Sequence, residues 1–302
     1  MRVLVIGSGG VGGYITSFLC KSGLEITLMS RGKRFDFIKN NGLILNTDGK
    51  KLKSSNFNLI NELKKKVSFD IIINTVKLYD FNSVLKDILL KVENNFILLP
   101  FQNGIYAEEE IKNEIGPNKT YGAVAQISSS INQRNQEVDH VGSLATFLVG
   151  PYDNFQSNLL MSFCLKCQQH NLNLRYKDNI KQKIWEKFIF LSAYSGITTL
   201  NERTIGEIFE SINLKRKFIK AMEETYNLSK EFDITFDYNP VDKWISKIDN
   251  MPYKMTSSMF IDYNNKKKLE LDWLSGFIID VSRKKGLQCQ THEEIFNGIK
   301  TK

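Results

Sequence analysis

Apolar residues come in two rhythms along this chain, and the rhythm changes at about residue 179. Before that point they form short runs with little alternation: Val3-Leu4-Val5-Ile6, Ile26-Thr27-Leu28-Met29, the stretch 69–76, Phe96-Ile97-Leu98-Leu99, Tyr121-Gly122-Ala123-Val124-Ala125 and Leu144-Ala145-Thr146-Phe147-Leu148-Val149. Such runs belong to strands buried on both faces, as in a parallel sheet. Helical patterns fall between them: one after the first run, then 82–92, about 107–115, and an amphipathic stretch over 159–168. Gly150-Pro151 stops the last strand. Beyond residue 179 the runs give way to apolar positions three or four apart, as in Trp273, Leu274, Phe277, Ile278 and Val281. Helices are expected over 184–195, 205–232, 241–248 and 269–285. The prolines at 100, 117, 151, 240 and 252 lie outside them, as helix interiors require. The pattern predicts an α/β unit over 1–178 followed by an all-helical unit over 179–302.

The first strand runs into Gly7-Ser8-Gly9-Gly10-Val11-Gly12, a helical pattern follows, and the second strand ends at Ser30-Arg31. A lone GxGxxG is weak, but strand, glycine turn, helix, strand is the layout of a dinucleotide-binding βαβ unit. Gly7 permits the tight turn, Gly9 lets backbone approach a pyrophosphate, and Gly12 lets the helix pack on the strand. Unpaired N–H groups of the helix N-terminus, with Ser8, Gly10 and Val11 in the same turn, face the phosphates. The expected fold is therefore an N-terminal Rossmann-type dinucleotide-binding domain plus a C-terminal all-helical domain. At the end of the second strand an acid would select NAD, whereas an arginine accommodates a 2′-phosphate. Arg31 stands there, with Lys33 and Arg34 behind it and no acid before Asp36. NADP(H) is the expected cofactor; the competing interpretation of Arg31 is an ordinary solvated loop residue.

Composition adds boundaries. A chain of 302 residues suits two domains. Its 42% hydrophobic and 25% charged content is ordinary for a globular protein. No apolar run approaches the roughly 18 residues that span a membrane. The first apolar run is too short for a signal peptide, so a cytoplasmic location is expected. The net charge of +8 suits anionic ligands, but the lysines are dispersed without an aromatic-interleaved basic face. Nucleic acid and membrane are not expected partners. Cys164 and Cys167 form a CxxC on an amphipathic pattern, with no second pair at zinc spacing, and His140, His170 and His292 are scattered. No metal site is expected.

Sites in open α/β sheets lie at the carboxyl ends of strands. Lys77 follows the strand ending at Val76, and Asn103 follows the strand ending at Leu99 and Pro100. Both are candidates to face a cofactor, or else an exposed lysine and a turn asparagine. In the helical half, Lys187 sits in Ile184-Trp185-Glu186-Lys187-Phe188. A lysine amid apolar neighbours loses a proton readily, which suits a general acid; most lysines on such helices are simply solvated.

Taken in order, these residues resemble the ketopantoate reductase (2-dehydropantoate 2-reductase) family over nearly the whole chain. The matching elements are the glycine motif, Arg31, Thr75-Val76-Lys77, Gln102-Asn103-Gly104, Gly150-Pro151, Trp185-Glu186-Lys187, Ser257-Ser258-Met259 and Glu270 in Leu269-Glu270-Leu271-Asp272. The resemblance implies NADPH-dependent reduction of a 2-oxo acid to a 2-hydroxy acid in a cleft between two domains, a step of pantothenate biosynthesis. It gives Lys187 the general-acid role and makes Glu270 the holder of its ammonium. Asn103 would bind near the nicotinamide and the reacting carbonyl, Lys77 would serve the cofactor, and Ser258 would bind the substrate carboxylate. A homodimer is the candidate assembly.

One departure stands out. The family usually carries asparagines four and eight residues after the catalytic lysine, where this chain has Leu191 and Ser195. Both share the face of Lys187. Ser195 keeps a hydroxyl for the substrate; Leu191 keeps none. A different, more apolar 2-oxo acid is therefore an alternative substrate, and a non-catalytic NADP-binding regulator is an alternative of another class.

Overall fold

The computed structural model describes residues 1–64, 66–93, 95–153 and 155–302. They form two compact units, one of Met1–Gln102 with Ala107–Ile180 and one of Asn103–Tyr106 with Lys181–Lys302.

The first unit runs β1 (Arg2–Ile6), α1 (Gly10–Leu19), β2 (Glu25–Met29), α2 (Gly32–Asn41), β3 (Leu43–Thr47), β4 (Lys50–Ser54), β5 (Asn58–Ile60), β6 (Ile71–Asn74), α3 (Leu78–Lys91), β7 (Ile97–Pro100), α4 (Tyr106–Ile115), β8 (Tyr121–Ile131), β9 (Val138–Pro151), α5 (Asn158–Gln169) and β10 (Leu174–Tyr176). Five strands make a parallel sheet in the order β5-β2-β1-β6-β7. From β1 the chain builds outward to β2 and β5, then returns to build the other way through β6 and β7. The loops after β1 and β6 therefore part at the carboxyl edge, the switch point where such sheets bind ligands. This is the expected Rossmann-type arrangement. A second sheet, β10-β9-β3-β4 with β8 antiparallel on β9, shares its core: Tyr14 and Ile15 of α1 pack in one cluster with Phe147 of β9 and Phe163 of α5.

The second unit is helical: α6 (Ile180–Asn201), α7 (Ile205–Glu210), α8 (Ile212–Lys230), α9 (Pro240–Ile248), α10 (Ser258–Asn264), α11 (Ser275–Lys284) and α12 (Gln290–Lys300). Its centre is α6, buried on nearly all sides; between Ile184 and Thr199 only Lys187 and Leu191 are not buried.

Several expected boundaries change. The single helix expected over 205–232 is two, because Ser211 accepts a bond from the Leu214 N–H and starts α8. The expected helix over 269–285 is a 3-10 turn, Leu271–Trp273, and then α11. Leu274 lies outside helical geometry between them. The helix expected over 82–92 begins earlier, at Leu78, with Lys77 as its N-cap. Pro240 is the first residue of α9, where its missing N–H costs nothing.

Candidate functional site

In the first unit the glycine turn is built for close approach. Gly7 has φ +96°, a backbone conformation that side chains rarely tolerate. The Thr75 hydroxyl donates across the switch point to the carbonyls of Ile6 (3.0 Å) and Gly7 (2.9 Å). A Cβ on Gly12 would fall on the Gly7 carbonyl, and one on Gly10 would fall on the carbonyl of Ser129 in β8. Around Gly9, by contrast, a Cβ would meet nothing within 4 Å. That contrast fits a dinucleotide: Gly7, Gly10 and Gly12 serve packing, while Gly9 leaves open space at the N-terminus of α1 for a diphosphate. The Ser8 hydroxyl is buried, 2.6 Å from the Ser30 hydroxyl at the end of β2. Val11 packs partly buried against the core.

Arg31 is the N-cap of α2, and its guanidinium lies 3.8 Å from the Asp87 carboxylate with most of the side chain in solvent. A pair that loose and wet contributes little, so a phosphate can replace it. Lys77 is half-buried where α3 begins. Gln102, at the end of β7, donates to the Val76 carbonyl (2.9 Å) and the Asn74 carbonyl (3.3 Å), tying the loops after β6 and β7 together. Sequence reasoning singled out the QNG triplet but not this work of its glutamine.

Asn103, expected beside the cofactor sheet, belongs with the helical unit. Its Oδ1 accepts a hydrogen bond from Lys187 Nζ at 2.9 Å. The next residue, Gly104, has φ +86°, and a Cβ there would stand 3.4 Å from Leu274 and Phe188. Tyr106 sets its ring edge-on to Trp273, with centroids 6.5 Å apart. One short segment thus meets both the Lys187 helix and the turn that starts at Glu270, which is buried as the N-cap of that turn. Ser257 is consumed by structure: its hydroxyl caps α10 at the Phe260 N–H (3.1 Å) and pairs with Thr198 Oγ1 of α6 (2.9 Å). Ser258, beside it, is exposed. On α6, Leu191 is half-buried one turn after Lys187, whereas Ser195 is buried another turn on.

The CxxC is closed off from solvent. Both thiols are buried on α5, and burial pushes Cys164 up to about 12 and Cys167 higher still. Among the described residues no group of three or more His, Cys, Asp or Glu could hold a metal ion. Among them, too, no helix is long and apolar enough to cross a membrane.

Comparison with known proteins gives the family. The family described as Ketopantoate reductase PanE/ApbA matches residues 3–154, and its C-terminal counterpart matches residues 179–302. The chain belongs to the ketopantoate reductase family. It is an oxidoreductase of the 2-dehydropantoate 2-reductase type, and NADP(H) is its cofactor. A 2-dehydropantoate 2-reductase of Pyrococcus horikoshii is 24% identical over 100% of this chain and 97% of its own length. The uncharacterized oxidoreductase YkpB of Bacillus subtilis is 25% identical over 99% of this chain and 98% of its own. Among solved structures, a 2-dehydropantoate 2-reductase from Geobacter metallireducens superposes with TM-score 0.89 at 19% identity over 100% of this chain and 99% of that one. A D-mandelate dehydrogenase with NADH and anilino(oxo)acetate gives TM-score 0.88 at 20% identity over 100% and 97%. At those identities the structures show a shared fold.

Proposed function

We propose that the protein catalyses NADPH-dependent reduction of a 2-oxo acid to the 2-hydroxy acid, with 2-dehydropantoate as substrate and pantoate as product. The observation that carries this is the 2.9 Å bond from Lys187 Nζ to Asn103 Oδ1, which fixes an ammonium on a largely apolar helix. Bound NADPH supplies the hydride. Lys187 points its ammonium at the substrate's carbonyl oxygen, stabilises the charge that grows there, and passes a proton from Nζ to the alkoxide. Glu270 holds the charge of that ammonium. Asn103 orients Lys187 and the carbonyl, Ser258 takes the substrate carboxylate, and Ser195 adds a hydroxyl two turns along the lysine's face. On the cofactor side the glycine turn binds the diphosphate, Arg31 the 2′-phosphate, and Lys77 the neighbouring part of the dinucleotide.

Leu191 favours a second reading at the level of substrate. One turn from Lys187 and only half-buried, it offers an apolar surface to the side chain of an oxo acid. A site built around a substrate hydroxyl discriminates strongly; an apolar wall does not. NADPH consumption by the purified protein over a panel of 2-oxo acids separates the two. The expected result is the highest kcat/KM for 2-dehydropantoate. An apolar acid such as 2-oxoisovalerate outperforming it by about tenfold would move the assignment to the second reading. No consumption with any 2-oxo acid would contradict both.

A further inference from the structure

Arg34 is the third residue of α2 and is buried, with 8% of its surface exposed. Its Nε donates to the Ser8 carbonyl in the glycine turn at 3.1 Å, and its Nη1 donates to the Gln136 carbonyl. Gln136 lies in the turn between β8 and β9 with φ +58°, so its carbonyl is presented by a constrained backbone. The guanidinium also stands 5.7 Å from the Phe37 ring. Nη2 is buried and has no hydrogen-bond partner. Among the described residues no carboxylate pairs with this cation, although its exposed neighbour Arg31 has one. Burial pulls the guanidinium down to about 10, which still leaves it charged at neutral pH.

A buried cation without a counter-charge is costly to fold around. Two carbonyl dipoles offset part of that cost and leave a net positive charge beside the glycine turn. The turn itself is shaped by the arginine. The Ser8 carbonyl is engaged by Nε, and the Ser8 hydroxyl joins the end of β2 through Ser30, next to Arg31.

We propose that Arg34 is a positioning and specificity-determining residue for the cofactor's 2′-phosphate, supplying from beneath the glycine turn the buried charge that the phosphate on the adenosine ribose compensates. Arg31 holds that phosphate from the solvent side, and Arg34 sets the shape and field of the floor. The proposal rests on the NADPH preference given above. It differs from it in placing the discrimination in a residue that need not touch the ligand.

The test uses the full-length protein without substrate. Dissociation constants for 2′,5′-ADP and 5′-AMP, the cofactor's adenosine ends with and without the extra phosphate, are measured by calorimetry for wild type, Arg34→Gln and Arg34→Lys. The expected result is a wild-type preference for 2′,5′-ADP that shrinks by about tenfold or more in Arg34→Gln and is largely kept in Arg34→Lys, while 5′-AMP affinity moves by less than about threefold. A merely structural role would weaken both ligands equally, and that outcome overturns the proposal. So does a preference unchanged in Arg34→Gln, which leaves the NADPH reading standing. Equal binding of both ligands by the wild type ends that reading, and the proposal with it. If Arg34→Gln does not fold, Arg34→Met takes its place with the same readout: a preference that shrinks by about tenfold is expected, and an unchanged one overturns the proposal.

Discussion

At the scale of single residues, the account turns on which polar groups the fold leaves positioned rather than consumed. Ser257 and Ser258 are adjacent and chemically identical, yet one is spent on a helix cap and on Thr198 while the other is exposed. Sequence alone does not separate them, because the partner of Ser257 is 59 residues away. Lys187 was legible as a lysine among apolar neighbours, but its bond to Asn103 was not, since that contact joins residues 84 apart. Leu191 can be tested where it stands. Leu191→Asn places an amide one turn from Lys187 and is expected to raise kcat/KM for 2-dehydropantoate relative to 2-oxoisovalerate by about tenfold. An unchanged ratio in a steady-state comparison would remove Leu191 from the substrate's surroundings. The cysteines give a second check. Burial raises both thiols, Cys164 to about 12 and Cys167 higher, which disfavours the reactive thiolate in each. Mass spectrometry after iodoacetamide treatment is expected to find both unlabelled in the folded protein and labelled in urea.

At the scale of elements, legibility followed burial pattern and start signals. The strands β1, β2, β6 and β7 read clearly because each is buried on both faces and so is apolar almost throughout. By contrast β4, Lys50–Ser54, is polar and largely exposed, and β5 and β10 are three residues each. The expected end of α6 near Ser195 was six residues short. Gly196, Thr198 and Thr199 look like a helix end by propensity. Tertiary contacts override that: the Thr198 hydroxyl pairs with Ser257 Oγ at 2.9 Å, and Gly196 packs so closely that a Cβ there would press on Ile295 at 2.7 Å. The helix α12 lacks the strongest start signal, since Cys289 precedes it and makes no side-chain cap, which leaves Glu293 in its first turn as a weaker one. The turn before α1 yields a paired prediction. Gly9→Ala meets open space and is expected to keep the wild-type melting temperature while weakening NADPH binding by about tenfold or more. Gly10→Ala meets the Ser129 carbonyl and is expected to lower the melting temperature itself. Thermal melts with and without NADPH measure both; equal melting temperatures for the two ligand-free variants would contradict the division of labour.

At the scale of the whole molecule, two units were legible from the change of apolar rhythm. The segment Asn103–Tyr106 was not: it leaves β7 and packs with the helical unit, through contacts that are all distant in sequence. Stability should carry a signature of the helical core. His292 is fully buried, bonded to Thr225, Ser275 and the Ala221 carbonyl, and burial lowers it below its ordinary 6.5. The unfolded chain therefore takes up a proton there as pH falls through 6.5 while the folded chain does not. Stability from this group is complete above that value and declines below it, by at most about 1.4 kcal/mol per pH unit. Urea melts from pH 7.5 to 5, above the range where most carboxylates titrate, are expected to show the decline in wild type and a flatter profile in His292→Gln. The central claim is that Lys187, held by Asn103, supplies the proton in reduction of a 2-oxo acid. It is tested most directly by the turnover of 2-dehydropantoate with NADPH in wild type and in Lys187→Ala, with NADPH affinity measured alongside. A fall in kcat of about a hundredfold or more, with NADPH affinity unchanged, is expected; equal turnover by the two proteins would contradict the claim.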